Sequence, residues 1–164
     1  MVSTHFRLQR DTKIMNWSEL NENNYIKKIN NLSYNDWKPL LHLIPEIEQT
    51  LNFGEIDTKL IGEGTVESPY QFPHYKSAPI VNEFIDIVYK IPVVITFQWM
   101  EWKELETYVK NTDFDFDTIN IPTKCKVITS IVRAERFCEG NIIVNFKSGL
   151  ILKILKSIEK QLIS

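Results

Sequence analysis

The chain has 164 residues, 43% of them hydrophobic and 24% charged, enough to build one buried core without disulfide or metal staples. A net charge of −2 argues against a general nucleic-acid or polyanion binder, which carries a basic excess. IPVVITF, the longest apolar run, is far too short to span a bilayer, and the opening MVSTHFRLQRDTKIMNW lacks the apolar stretch of a secretory signal, so a cytoplasmic setting is expected.

Residues 1–15 are polar with isolated apolar positions and read as an arm. Asn16 followed by Glu19 resembles a capping box opening a helix through NWSELNENNYIKKIN. Residues 1–33 together read as an appendage to a helical domain at 34–164. In SYNDWKPLLHLIPEIEQTLNFG, the residues Trp37, Leu40, Leu41, Ile44, Ile47 and Leu51 recur at helical spacing. Pro45 is placed to kink or split that helix, and Gly54 follows its end. Residues 54–76 hold three of the five glycines and no sustained period, which predicts a long loop carrying His74 between Pro73 and Tyr75.

A helix is predicted over SAPIVNEFIDIVYKI, capped by Ser77, with Pro79 in its first turn and Ile80, Val81, Phe84, Ile85 and Val88 on one side. VVITFQW is β-branched and aromatic, a short extended segment near 92–98. WMEWKELETYVKN returns to helical spacing through Trp99, Trp102, Leu105 and Val109. DFDFDTINIP reads as a turn before the helix TKCKVITSIVRAERF, which turns Cys125, Ile128, Ile131 and Val132 inward. NIIVNF suits a strand by propensity or a helix by continuity. SGLILKILKSIEKQL is the clearest helix, with Leu150, Ile151, Ile154, Leu155, Ile158 and Leu162 facing in and Lys153, Lys156 and Lys160 facing out. The expected fold is mostly α: a compact single-domain bundle of about six helices, with the extended segment near 92–98 and the loop at 54–76.

Catalytic and cofactor signatures are missing. GxxxxGK[ST], HExxH and GxSxG do not occur, and Gly62 and Gly64 make a GxG without a third glycine. His5, His42 and His74 share no metal-ligand spacing. Asp113, Asp115 and Asp117 open like a calcium loop, but Thr118 stands where that loop needs glycine and Lys124 where it needs glutamate. Cys125 and Cys138 form no CxxC and read as reduced, mostly buried thiols. No cofactor and no metal are expected.

IVRAERFCEG, residues 131–140, is the chemically distinctive stretch. If its helix continued, Glu135 and Glu139 would share the face of Ile128, Ile131 and Val132, with Arg136 at the edge and Arg133 further round. Buried carboxylates without partners cost several kcal/mol each, and the planar arginine fork is their natural remedy. Two uses follow. The charges form a structural ion-pair clasp, or Arg133 or Arg136 is free to take an anionic group beside the apolar walls of Trp99 and Trp102.

WKPLLHLIP, FIDIVYKIPVVITFQWMEW, ITSIVRAERFCEG and SGLILKIL, with the closing Arg133, Arg136, Phe137, Glu139, Gly140 and Gly149, resemble a bacterial family of unknown function over about residues 36–162. That family comprises small, mostly helical cytosolic proteins with a closing RxxRFxEG signature. Glu135 stands where the family usually has Asp, and Gln98 where Asp often follows the central Phe. The resemblance implies a mostly helical fold and no particular chemistry. The expected function is therefore a non-catalytic binding or interaction module, using Arg133, Arg136, Trp99 and Trp102 to hold a small anionic ligand or a protein partner. One alternative is a small hydrolase or transferase on a nucleotide-like anionic substrate, with Glu135 or Glu139 as acid/base and His74 as a second such group. The other is a purely structural cluster in a protein-interaction domain.

Overall fold

Apolar residues at three- and four-residue spacing set the helices, and proline and glycine set where they stop. In a computed structural model the protein is described over residues 17–59, 62–70 and 74–164. The helices are α1 (Trp17–Asn30), α2 (Tyr34–Leu41), α3 (Ile44–Gln49), α4 (Pro79–Lys90), α5 (Leu105–Lys110), α6 (Ile121–Ala134), α7 (Asn141–Lys147) and α8 (Leu150–Ile163). One antiparallel pair, β1 (Gly54–Asp57) with β2 (His74–Ser77), and two 3₁₀ turns, Trp99–Glu101 and Phe116–Thr118, complete the described elements.

At the centre lies α8, which buries Leu150, Ile151, Ile154, Leu155 and Ile158 against α2, α3, α6 and α7. Its period-3.6 stripe is continuous, so propensity and burial agree. Phe146 on α7 meets Phe53 at 5.1 Å and the edge of Phe84 at 5.2 Å, joining the hairpin and α4 to the same core. Pro45 divides the second predicted helix: α2 stops at Leu41 and α3 restarts at Ile44, with the proline in its first turn. The Asp36 carboxylate accepts the backbone N–H (2.8 Å) and the hydroxyl (2.7 Å) of Ser33, bonds that hold it below the usual carboxylate range. The Asn16–Glu19 box lies outside the described residues. Behind it, α1 lies against α6 through buried Ile29 and the Glu22–Lys126 ion pair.

Residues 93–97 alternate as an extended segment should, with Val93, Ile95 and Phe97 buried. The segment pairs with a side chain instead of a strand. The Ile95 N–H donates to Thr129 Oγ1 at 3.0 Å, and that hydroxyl lies 2.7 Å from the Cys125 carbonyl of α6.

Several expectations need correction. Residues 54–76 are not wholly loop, because Gly54–Asp57 pairs with His74–Ser77 from Gly54↔Ser77 to Asp57↔His74. Strands of four residues are too short to show a period. Ser77 therefore ends β2, and Ala78 stands at the start of α4. Leu51 is 99% exposed, since α3 has ended at Gln49 and helical spacing no longer applies. The helix predicted from Trp99 onward is broken: a 3₁₀ turn covers Trp99–Glu101, Trp102 is extended, and α5 begins only at Leu105, leaving Val109 exposed. NIIVNF takes the helical of its two open readings as α7, with Ile142, Ile143 and Phe146 buried. Cys125 is buried but Cys138 is exposed. Among the described residues no helix is long and apolar enough to cross a membrane.

Candidate functional site

The charged stretch is not a continuous helix. α6 ends at Ala134, and the N–H groups of Arg136, Phe137 and Cys138 fold back onto the carbonyls of Arg133 and Ala134. Glu135 is thereby turned toward the next helix. Its Oε1 accepts the Gly140 N–H and its Oε2 the Ile142 N–H, each at 2.7 Å, so one carboxylate caps α7 at its positive end. Glu139 Oε1 accepts the Tyr75 N–H at 3.0 Å and ties the turn to β2. Gly140, at φ +85°, lets the backbone pass directly against the Tyr75 ring.

These bonds replace the expected Arg–Glu clasp. Among the described residues the ion pairs are Lys110–Glu106, Lys126–Glu22, Lys156–Glu48 and Lys160–Asp117, and none involves Arg133, Arg136, Glu135 or Glu139. Because the helix stops before Glu135, backbone N–H groups satisfy the carboxylates and the guanidinium groups are left without them.

Those two arginines line a recess of about 230 Å³ together with Tyr89 of α4, Trp99 and Met100 of the 3₁₀ turn, and Phe137. Arg133 is half-buried and Arg136 exposed. Phe137 is 76% and Met100 74% exposed, and the Phe137 ring lies 6.1 Å from that of Trp99. Trp102 points elsewhere. It meets Phe97 edge-on at 5.6 Å and Tyr108 at 5.4 Å, under the Lys126 ammonium. It also lines a neighbouring open cleft of about 980 Å³ with Trp99, Met100, Glu101, Lys103, Leu105 and Glu106. Of the residues singled out from the sequence, Trp99, Arg133 and Arg136 therefore converge. Glu135 and Glu139 sit in the supporting turn, and exposed His74 lies on the hairpin opposite Asp57.

A second charged region joins the DFDFDT segment to α8. Asp117 accepts from the Lys160 ammonium and, at 2.5 Å, from the Ser157 hydroxyl; these two bonds hold its carboxyl below the usual range. Phe116 is buried beside it, and Asp115 accepts the Asp117 N–H at 2.9 Å. The nearby cavity of about 260 Å³ includes Lys153, Lys156 and Lys160, but each is engaged, by the Thr112 carbonyl, Glu48 and Asp117 respectively. Among the described residues no group of three or more His, Cys, Asp or Glu could hold a metal ion.

Sequence reasoning missed Lys124. It is fully buried on α6, and among the described residues its Nζ is the one buried side-chain nitrogen or oxygen without a hydrogen-bond partner. Burial lowers its pKa from 10.5 to about 8, against a smaller opposing pull from Asp117. A lysine pKa depressed by folding means that the ammonium is held at a cost below about pH 8. Its contribution to stability then improves as pH rises from about 8 to 10.5. Even buried ion pairs, replaced whole by apolar side chains of similar volume, gain up to about 1–4 kcal/mol, and the Lys124 ammonium lacks a hydrogen-bond partner to offset its burial. Lys124→Met is accordingly expected to gain about 2 kcal/mol at pH 7. In denaturant titrations that advantage should shrink toward pH 10.5; a gain equal at both pH values would contradict this reading.

The fold is thus mostly helical with one small antiparallel sheet, and it presents an arginine–aromatic recess at the end of α6. Residues 32–164 match the model of a family of unknown function (DUF6508), and the chain belongs to that family. The match contains every stretch from WKPLLHLIP to SGLILKIL, while α1 precedes it. No curated protein and no solved structure matches the chain.

Proposed function

We propose that the protein is a non-catalytic binding or interaction module whose recognition surface is the recess between Arg133, Arg136, Trp99 and Phe137. The carrying observation is a pair of guanidinium groups, neither ion-paired among the described residues, set beside exposed aromatic rings. Unpaired guanidinium forks take carboxylate or phosphate groups bidentately, and adjacent apolar walls strengthen those bonds by excluding water. Tyr, Trp, Met and Arg are also the residue types enriched at the centres of protein interfaces. The recess is smaller than the roughly 300–1,000 Å³ of enclosed small-molecule sites. That size favours one anionic group with an apolar neighbour, projected from a larger partner. The bacterial, cytoplasmic setting is what the sequence resemblance implies.

The catalytic alternative gains less support. Both oxygens of Glu135 and one of Glu139 accept backbone N–H groups, so neither carboxylate is poised toward the recess.

The test titrates inorganic phosphate, nucleotides and small dicarboxylates into the protein while following the Trp99 indole N–H by NMR. The wild type is expected to respond, and Arg133→Ala and Arg136→Ala to lose the response. Surface changes of this kind stay within about 0.5 kcal/mol, or about 2 °C in melting temperature. A response that survives both substitutions would refute the proposed site.

A further inference from the structure

The backbone around the recess has few donors left for a ligand. The N–H groups of Arg136, Phe137 and Cys138 donate to the carbonyls of Arg133 and Ala134, and those of Gly140 and Ile142 donate to Glu135. In the 3₁₀ turn, the N–H groups of Trp99, Glu101 and Trp102 donate to the carbonyls of Phe97, Gln98 and Trp99. Phosphate sites commonly add such backbone N–H groups, from a helix start or a nest, to their side-chain cations. Here those donors are engaged, and the two guanidinium groups remain, planar forks that each match one planar carboxylate. Among the described residues no acidic side chain lines the recess, so nothing within it competes for the arginines.

Trp99 and Met100 also line the larger cleft, so the two depressions form one strip. Charge beyond that shared crest is balanced. Glu101 and Lys103 carry one charge of each sign, and Glu106 is paired with Lys110 at 3.1 Å. A nucleic-acid strand is held by cations along its whole backbone, and this strip offers an excess of them at one end only. The rest of its length is the apolar wall of Trp99, Met100, Trp102 and Leu105. A free anion on the arginines would leave exposed Met100 and Phe137 in water. An extended peptide would not, because its alternate side chains project to one face about 7 Å apart. An acidic residue over the arginines therefore brings a second side chain along the crest.

We infer that this strip takes an acidic linear segment of another protein, bound extended, with one or two carboxylates on Arg133 and Arg136 and a large apolar side chain against Trp99 and Met100. This rests on the proposed binding role of the recess and names its partner by chemistry. Positive charge at the recess alone complements the acidic residues, and the charge-balanced cleft attracts no more of them. Acidic residues are accordingly expected on one side of the apolar residue and not on both.

Short random peptides displayed on phage test it, selected on the full chain and counter-selected on Arg133→Ala/Arg136→Ala. The selected sequences are expected to be enriched in Asp or Glu with a large apolar residue two positions away. One such peptide, made synthetically, should shift the Trp99 indole N–H signal. Arg133→Ala, Arg136→Ala and amides in place of the peptide's acidic residues should each weaken binding at least about tenfold, the usual worth of a charge-assisted hydrogen bond. Phe137→Ser should weaken it too, which a purely ionic contact would not show. Selection that yields no arginine-dependent sequences, or sequences without acidic residues, overturns the inference. So does a single-stranded oligonucleotide that binds more tightly than any selected peptide. If peptides fail while phosphate or glutarate still moves the Trp99 signal in an Arg136-dependent way, the recess binds a free anion and only the peptide partner is wrong. If none of these probes moves it, the recess itself is not a binding site.

Discussion

Glu135→Ala is expected to destabilise the protein by about 4 kcal/mol, the largest effect of any single substitution at the α6–α7 junction. Its carboxylate is the partner of two backbone donors, Gly140 N–H and Ile142 N–H, whose residues are both buried. Removing it strands both, at about 1–3 kcal/mol each, and takes a negative charge from the start of α7. At this chain length, about 4 kcal/mol corresponds to roughly 10 °C in melting temperature. Glu135→Gln should cost about half as much, because the amide keeps one acceptor oxygen but turns its NH₂ toward the other donor. Thermal denaturation of the three proteins checks the ordering. If Glu135 were an acid/base group and not a cap, both variants would melt with the wild type.

Gly140→Ala is the second large change, expected to cost about 3 kcal/mol. Two penalties combine. A left-handed backbone, here φ +85°, costs a residue with a Cβ about 1–2 kcal/mol. The added Cβ would also come within 2.6 Å of Tyr75 Cζ, forcing the ring to move in a packed site, which costs about 1–3 kcal/mol. Gly149→Ala is the matched control: φ is +77° and nothing lies within 4 Å of the new Cβ, so only the backbone cost of about 1 kcal/mol remains. Chemical denaturation should show the gap, and a Tyr75→Ala background should narrow it. Equal losses at the two glycines would mean that the ring yields freely.

These two substitutions mark the boundary of what the sequence makes legible. α8 could be read directly because its buried stripe is uninterrupted, and Pro45 announced the break between α2 and α3. The end of α6 carried no such signal. No proline or glycine intervenes between Ile131 and Gly140, so extrapolating the helix placed Glu135 and Glu139 on the core face, when they bond instead to backbone N–H groups. The hairpin was hidden because its pairing joins Gly54 to Ser77 across the intervening chain, and four-residue strands have almost no period. Trp99 lies with Arg133 and Arg136 on one recess because the 3₁₀ turn carries it beside the end of α6. Trp102 was not separable from Trp99, because the backbone turns extended only at Trp102 and aromatic contacts with Phe97 and Tyr108 hold its ring. Lys124 entered the sequence reading only as the residue standing where a calcium loop needs glutamate, since nothing local distinguishes a buried ammonium from an exposed one.

We propose a division of labour at residues 133–140: the glutamates hold the turn by backbone hydrogen bonds, and the arginines, without ion pairs among the described residues, are left for a partner. Its most direct test is the melting temperature of the Arg133→Ala/Arg136→Ala double variant beside that of Glu135→Ala. The expected result is a double variant within about 2 °C of wild type and a Glu135→Ala protein melting roughly 10 °C lower. A double variant that melts as early as Glu135→Ala would show instead that the arginines are part of the structural clasp.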